Sequence, residues 1–141
     1  MPNIQFILVG KYDNSVEFLK KLASSNMKFT GYISDGLLMA FYKKAKVYCQ
    51  LSAHESFGVA LAEAMACGCV PVVTDRYALP EVVGDAGFYV PYGDPKAAAE
   101  AIKQALKSNK GTRARERIQK YFSIKAREEK LVKEILECFQ T

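Results

Sequence analysis

Long apolar runs are missing from this chain. No stretch approaches the roughly 18 uninterrupted apolar residues that a membrane-spanning helix requires. The first residues, Met-Pro-Asn-Ile-Gln, also lack the charged segment and apolar run of a signal peptide. Of the 141 residues, 50% are apolar and 25% are charged, as in ordinary globular proteins. We therefore expect a cytoplasmic protein with a single domain over residues 1–141.

Residues that commonly bind metals are scarce. His54 is the only histidine, and of the four cysteines only Cys67 and Cys69 lie close together, with Gly68 between them. This spacing is too tight for the usual paired zinc site, and no second pair lies nearby. We therefore expect free thiols in a reducing compartment, no metal site and no cofactor.

Positive charge is concentrated in the C-terminal third. Residues 96–141 carry 12 basic and 6 acidic side chains, against 8 and 9 in residues 1–95. One explanation is a basic, solvated helix face, and another is a surface that contacts anionic lipid at a membrane or an acidic partner. A homo-oligomer contact with a second copy of the chain is a separate alternative. No recognised nucleic-acid-binding module is present, so specific nucleic-acid binding is not expected.

Two hydrophobic periodicities alternate along the chain. Short apolar runs predict five strands, near residues 4–9, 27–30, 47–51, 70–74 and 87–90, with helices between them. Two further helices are predicted at about 112–121 and 123–139. Strands alternating with helices through short connections are typical of parallel right-handed crossovers. The predicted fold is α/β: a Rossmann-like three-layer sandwich with a mainly parallel sheet of about five strands.

The segment after the third predicted strand has the most distinctive pattern. Glu55 precedes an alanine-rich helix and Glu63 lies within it, eight residues further on. The first-turn N–H groups of such a helix lack intrahelical partners and suit a phosphate, and Gly58 would leave the backbone open to it. Carboxylates accept hydrogen bonds from paired sugar hydroxyls. The pattern indicates a diphosphate ligand with hydroxyl-rich groups on both sides. The alternative is a structural role for both glutamates, in which Glu55 complements the helix dipole and Glu63 lies on a solvated face.

The same segment resembles a known family. The strings ESFGVALAEAMACGCVPVVT, LPEVVGDAGFYV and YGDPKAAAEAI resemble the C-terminal, donor-binding domain of retaining GT-B glycosyltransferases (group 1, family 4). The central motif is a glutamate, seven residues and a second glutamate, within a Phe-Gly and Ala-Met-Ala context. The resemblance runs from Ile4 to the final helix, and it implies half of a GT-B architecture.

The resemblance implies roles for individual residues. Glu55 is the catalytic candidate, because in the family the first motif glutamate approaches the donor sugar, although neither glutamate is expected to be a nucleophile. Glu63 would hold the ribose, and Tyr32 and Ile33 would face the base. The residues implied in donor binding are Gly10, Tyr32, Ile33, His54, Ser56, Phe57, Gly58, Val59 and Glu63. For His54, a structural role is the alternative. Glu81 matches a recurrent acidic residue of the family, and a structural role is the alternative for it as well.

The resemblance also implies partners. In the family, an upstream strand and loop supply an arginine and a lysine to the diphosphate, and an N-terminal domain binds the acceptor. The family's sheet also has a central strand that this sequence lacks. Either the remaining strands close the gap, in an order such as 2-1-3-4-5, or something else fills it. Lys11 does not stand at the matching position, so we expect this chain alone to be inactive or weak. We expect it to work with an N-terminal acceptor-binding domain or a separate polypeptide. Its expected activity is sugar transfer from a nucleotide-diphosphate sugar to a glycan, lipid or other acceptor.

Two alternatives of other classes remain at this point. One is a non-catalytic Rossmann-like protein-interaction module, which would not require Glu55, Gly58 and Glu63 together. The other is a GT-B sugar-nucleotide epimerase, which would need further acid–base residues beside His54.

Overall fold

The computed structural model describes residues 1, 3–13 and 15–139 and has the predicted alternation of strands and helices. Within that part the elements are β1 (Phe6–Leu8), α1 (Val16–Leu22), β2 (Met27–Phe29), α2 (Asp35–Lys44), β3 (Val47–Gln50), α3 (Val59–Ala66), β4 (Val70–Thr74), α4 (Leu79–Val83), β5 (Phe88–Val90), α5 (Pro95–Lys107), α6 (Gly111–Tyr121) and α7 (Ile124–Cys138). The chain forms two compact units, Met1–Phe41 and Tyr42–Thr141.

All five described strands pair in parallel, as expected, but in two sheets. β1 pairs with β2 in the first unit, and β3, β4 and β5 form a second sheet in that order. In the described residues no ladder joins β1 to β3, so the single predicted sheet of about five strands is a two-stranded and a three-stranded sheet. An apolar run predicts that a strand exists, but which strand edges pair depends on contacts far apart in the sequence.

The first unit leaves its strands largely accessible. Ile7 is 40% exposed and Leu8 is 37% exposed, although their apolar run predicted a buried strand. The reason is local, because β1 pairs with a single three-residue strand and α1 has no buried residue. Two short strands, α1 and the first part of α2 offer too little surface to cover an apolar face on both sides.

The second unit has its core on both faces of β4, and every residue of that strand is buried. Val70 and Val72 pack toward α5 with its buried alanines, whereas Val73 packs toward α3, α4 and α6. Opposite faces follow from the two-residue period of a strand. The unit is therefore a three-layer sandwich, in which the small side chains of α5 allow close approach to the sheet.

Helix α6 holds the C-terminal ends of two other helices. Arg115 donates to the carbonyls of Ala66 (3.0 Å) and Cys67 (2.9 Å) at the end of α3. Arg117 donates to the carbonyl of Val82 (2.8 Å) at the end of α4. Last-turn carbonyls lack intrahelical donors, and cations are favourable there. At least two of the basic residues in the C-terminal third, Arg115 and Arg117, therefore stabilise contacts between helices of the same chain.

Helix α7 is largely exposed. None of its described residues is buried, and its apolar side chains include the exposed Leu131, Val132 and Leu136. Among the described residues, no helix is long and apolar enough to cross a membrane.

Candidate functional site

The connection between β3 and α3 turns sharply at Gly58. This residue is the N-cap of α3 and has φ 87° and ψ 59°, a left-handed conformation that favours glycine. Its carbonyl accepts the first helical hydrogen bond from the N–H of Ala62 (3.0 Å). The loop after β3 therefore ends at Gly58, and α3 begins at the next residue, Val59.

Glu55 is held in place within this loop. Its Oε2 accepts a hydrogen bond from the side-chain amide of Gln50, the last residue of β3. Its Oε1 accepts from the backbone N–H of Ser56 (3.1 Å). Gln50 in turn accepts a hydrogen bond from the Tyr48 hydroxyl (3.3 Å). The carboxylate is half-buried, and a strand residue fixes its orientation.

The N-terminus of α3 has no side chain to cap it, because Gly58 stands at the N-cap. The glycine is buried, while the neighbouring Phe57 is 39% exposed and Val59 is 63% exposed. The Phe57 ring lies against the Phe122 ring, with 5.6 Å between the ring centroids. First-turn N–H groups without a capping side chain, next to a glycine, can donate to an anion.

Glu63 lies one turn into α3 and is exposed. Burial, and then the charge of Glu63, raise the pKa of the Tyr42 hydroxyl to about 12. Burial raises the pKa of Tyr48 as well, and the charges of Glu55 and Glu63 add smaller contributions in the same direction. Both motif carboxylates therefore act on Tyr48, which stays a neutral phenol.

The β3–α3 loop lies beside the loop that follows β4. The Thr74 hydroxyl donates to the carbonyl of Ser52 (2.8 Å). The rings of His54 and Tyr77 lie in contact, with centroids 4.1 Å apart and planes at 64°. The two loops meet because β3 and β4 are parallel neighbours, with Gln50 opposite Val73.

The remaining predicted donor residues lie in the first unit. The N–H of Gly10 donates to the carbonyl of Gly31 (3.2 Å), so the chain segments after β1 and β2 run side by side there. Tyr32 follows directly and is exposed, and Ile33 is partly buried. The structure thus places His54, Glu55, Ser56, Phe57, Gly58, Val59 and Glu63 in one unit, and Gly10, Tyr32 and Ile33 in the other.

Several site residues are not evident from the sequence motif. Gln50 orients Glu55, Tyr48 supports Gln50, and Tyr77 contacts His54. The role of Gln50 could have been inferred from the sequence, because it is a polar residue at the end of an otherwise apolar strand. Nothing local to Tyr77 pointed to His54, because the contact depends on the pairing of two strands.

Glu81 lies in the first turn of α4 and is exposed. Over residues 1, 3–13 and 15–139, no group of three or more His, Cys, Asp or Glu side chains is placed to hold a metal ion.

Comparison with known proteins shows the relationships of this chain. Residues 1–124 match the model of the family described as glycosyl transferases group 1. The phosphatidyl-myo-inositol mannosyltransferase of Mycolicibacterium smegmatis is 32% identical over 133 residues, which cover 85% of this chain and 33% of that relative. The O-antigen chain mannosyltransferase B of Escherichia coli is 36% identical over 83 residues, covering 59% of this chain and 22% of the relative.

Solved structures show the same fold. A sucrose-phosphate synthase from Thermosynechococcus elongatus superposes with a TM-score of 0.81 at 27% identity, over 96% of this chain and 39% of that one. A glycosyltransferase from Rickettsia africae superposes with a TM-score of 0.78 at 19% identity, over 95% of this chain and 40% of the other. This chain spans a third or less of the length of the two curated relatives. The extent of the family match, together with the parallel-stranded fold, establishes that the chain belongs to the glycosyl transferases group 1 family.

Proposed function

We propose that this chain is the donor-binding part of a retaining glycosyltransferase and that it binds a nucleotide-diphosphate sugar. The observation that carries the proposal is the placement of Glu55, which Gln50 and the Ser56 N–H hold beside the uncapped N-terminus of α3. Helix N–H groups suit the diphosphate, and a fixed carboxylate suits the hydroxyls of the sugar.

The division of roles follows from where each carboxylate lies. Glu55 is in the loop next to Gly58, whereas Glu63 is exposed on the next turn of α3. We assign the transferred sugar to Glu55 and the ribose to Glu63, with Ser56, Phe57, Gly58 and Val59 between them. Tyr32 and Ile33 are proposed to face the base, with Gly10 leaving room beside it.

The names of the relatives support mannose as the transferred sugar, since two of them are mannosyltransferases. Their names also point to two acceptor classes, an O-antigen chain and the lipid phosphatidyl-myo-inositol. We propose that an N-terminal acceptor-binding domain, or a separate polypeptide, completes the site. A lipid acceptor would bring a cytoplasmic enzyme to the membrane surface as a peripheral protein.

We expect the diphosphate to bind without a divalent cation. In the proposed site, backbone N–H groups and the dipole of α3 stabilise its negative charge. Nucleotide affinity should then be the same in EDTA and in Mg²⁺. Loss of binding in EDTA, with recovery in Mg²⁺ or Mn²⁺, would contradict this part of the proposal.

Calorimetry on the chain tests the function directly. GDP-mannose and UDP-glucose are titrated beside GDP and UDP, for the wild type and for Glu55→Gln. The matched control is Glu116→Gln, an exposed glutamate on α6. The proposal expects at least one nucleotide sugar to bind, and expects Glu55→Gln alone to weaken that binding. Absence of binding to all four compounds, or equal binding by all three proteins, would overturn it.

A further inference from the structure

Two aromatic rings join the loops at the ends of β3 and β4. His54 lies on the first loop and Tyr77 on the second, with 4.1 Å between their ring centroids. Both side chains are exposed, and Tyr77 keeps 63% of its surface accessible despite the contact. The pair therefore presents a ring surface at the carboxyl edge of the sheet, where parallel α/β folds bind ligands.

The backbone of Tyr77 is held in an unfavourable conformation. Its φ is 53°, and it is the single non-glycine residue with positive φ in the described part of the chain. Residues with a Cβ seldom adopt this region, which glycine enters freely. Strained residues of this kind cluster at functional sites. A glycine would fit the turn better, so the fold alone does not explain a tyrosine here.

The segments that carry the two rings lie next to the segment of the proposed sugar-binding residue, Glu55. His54 directly precedes Glu55, and Tyr77 is two residues before Leu79. A Cβ atom built on Gly58 would be 3.5 Å from Cγ of Glu55 and 3.5 Å from Cδ2 of Leu79. The segments that carry the two rings thus converge on the same glycine at the start of α3.

We propose that His54 and Tyr77 form one wall of the donor-sugar subsite, and that Tyr77 is a specificity-determining residue for the transferred sugar. This inference rests on the proposed function. A pyranose ring has an edge of hydroxyl groups and a face of C–H groups. The Glu55 carboxylate accepts from the hydroxyls, and the exposed Tyr77 ring packs against the C–H face. His54 supports the tyrosine ring from the neighbouring loop.

The test compares two substitutions at one position. Tyr77→Gly removes the ring and relieves the backbone, whereas Tyr77→Phe keeps the ring. Tyr121→Ala removes an exposed tyrosine from α6 and serves as the matched control. Each protein is titrated with GDP-mannose and GDP, and with UDP-glucose and UDP, and its thermal unfolding is recorded.

Tyr77→Gly is expected to lower the affinity for the nucleotide sugar about 3- to 10-fold. It should leave the affinity for the matching nucleoside diphosphate unchanged, and unfold at the same temperature as the wild type or higher. Tyr77→Phe and Tyr121→Ala should retain the wild-type preference for the sugar-linked form.

Three results would overturn the inference while the proposed function stands: an unchanged sugar preference in Tyr77→Gly, an equal loss for both forms of the nucleotide, or a clear loss of stability. The last would mean that the tyrosine serves the fold. If the wild type binds none of the four compounds, the proposed function fails and this inference fails with it.

Discussion

Gln50 donates a hydrogen bond from its side-chain amide to Oε2 of Glu55, and this contact connects the end of β3 to the candidate catalytic carboxylate. The same glutamine accepts a hydrogen bond from Tyr48 two residues earlier on the strand. A rigid strand, and not the loop alone, thus sets the direction of the carboxylate. A charged loop residue that a strand side chain holds in one orientation is typical of a binding or catalytic role.

We predict that Gln50→Leu weakens binding of a nucleotide sugar about 10-fold, because Glu55 loses its orienting donor. Hydrogen bonds to charged groups contribute roughly 1.5–3 kcal/mol, and about 1.4 kcal/mol corresponds to a tenfold change in affinity. Calorimetry on Gln50→Leu, with Gln104→Leu on α5 as an exposed control, measures the effect. Unchanged binding by Gln50→Leu would show that the loop holds Glu55 without the strand.

The two motif carboxylates should respond differently to neutralisation. We predict that Glu63→Gln weakens nucleoside diphosphate and nucleotide sugar alike, whereas Glu55→Gln weakens only the sugar-linked form. Each loss is expected to be about 10- to 100-fold, since the glutamine keeps the size but loses the charge that strengthens hydrogen bonds to hydroxyls. Calorimetry with GDP and GDP-mannose separates the two roles. Equal effects of both variants on both ligands would show that the carboxylates act only through general charge.

The alternation of strands and helices could be predicted from the sequence, because it depends on local periodicity. The apolar run of β4 and the Asp94-Pro95 start of α5 are examples, and the Asp94 carboxylate does accept from the N–H groups of Lys96 (3.0 Å) and Ala97 (2.9 Å). The division into two sheets could not be predicted, since it depends on which strand edges pair. The exposure of Ile7 could not be predicted either. Whether an apolar strand residue is buried depends on elements far away in the sequence that pack over it.

The candidate site could be predicted in part. Glu55, Gly58 and Glu63 are marked by their spacing in one continuous segment. The structure places Glu55 in the loop before α3, Gly58 at the N-cap and Glu63 one turn into the helix. The contact between His54 and Tyr77 joins residues that are 23 positions apart. No periodicity encodes such a contact, because it arises from the register of two strands.

Glycine at position 58 should matter for both folding and binding. We predict that Gly58→Ala lowers the free energy of unfolding by roughly 1–2 kcal/mol, since an L residue is disfavoured at its φ of 87°. Gly93→Ala is a matched control, because Gly93 has φ 81° and an added Cβ would meet no described atom within 4 Å. Urea unfolding should show similar losses for both variants.

Nucleotide binding distinguishes the two glycine variants. Gly58→Ala should weaken it, because a methyl group then stands at the start of α3, whereas Gly93→Ala should not. If both variants bind the nucleotide with equal affinity, Gly58 is required only for the conformation of the turn and not for binding.

Arg115 is predicted to stabilise the second unit through the end of α3. Arg115→Met keeps much of the aliphatic side chain but loses both hydrogen bonds to the carbonyls of Ala66 and Cys67. Because the side chain is exposed, we expect a loss of about 1 kcal/mol in the free energy of unfolding. Arg127→Met on α7, which is also exposed, provides the control in the same urea titration. A smaller loss for Arg115→Met than for Arg127→Met would refute the role.

Backbone amide shifts measured by NMR show whether a nucleoside diphosphate binds at the start of α3. GDP, UDP and ADP are titrated in turn into the isotope-labelled chain. We predict that the amides of residues 56–60 shift first and furthest with at least one of them, because these residues lead into the uncapped N-terminus of α3. Shifts confined to the basic helices α6 and α7 would contradict it.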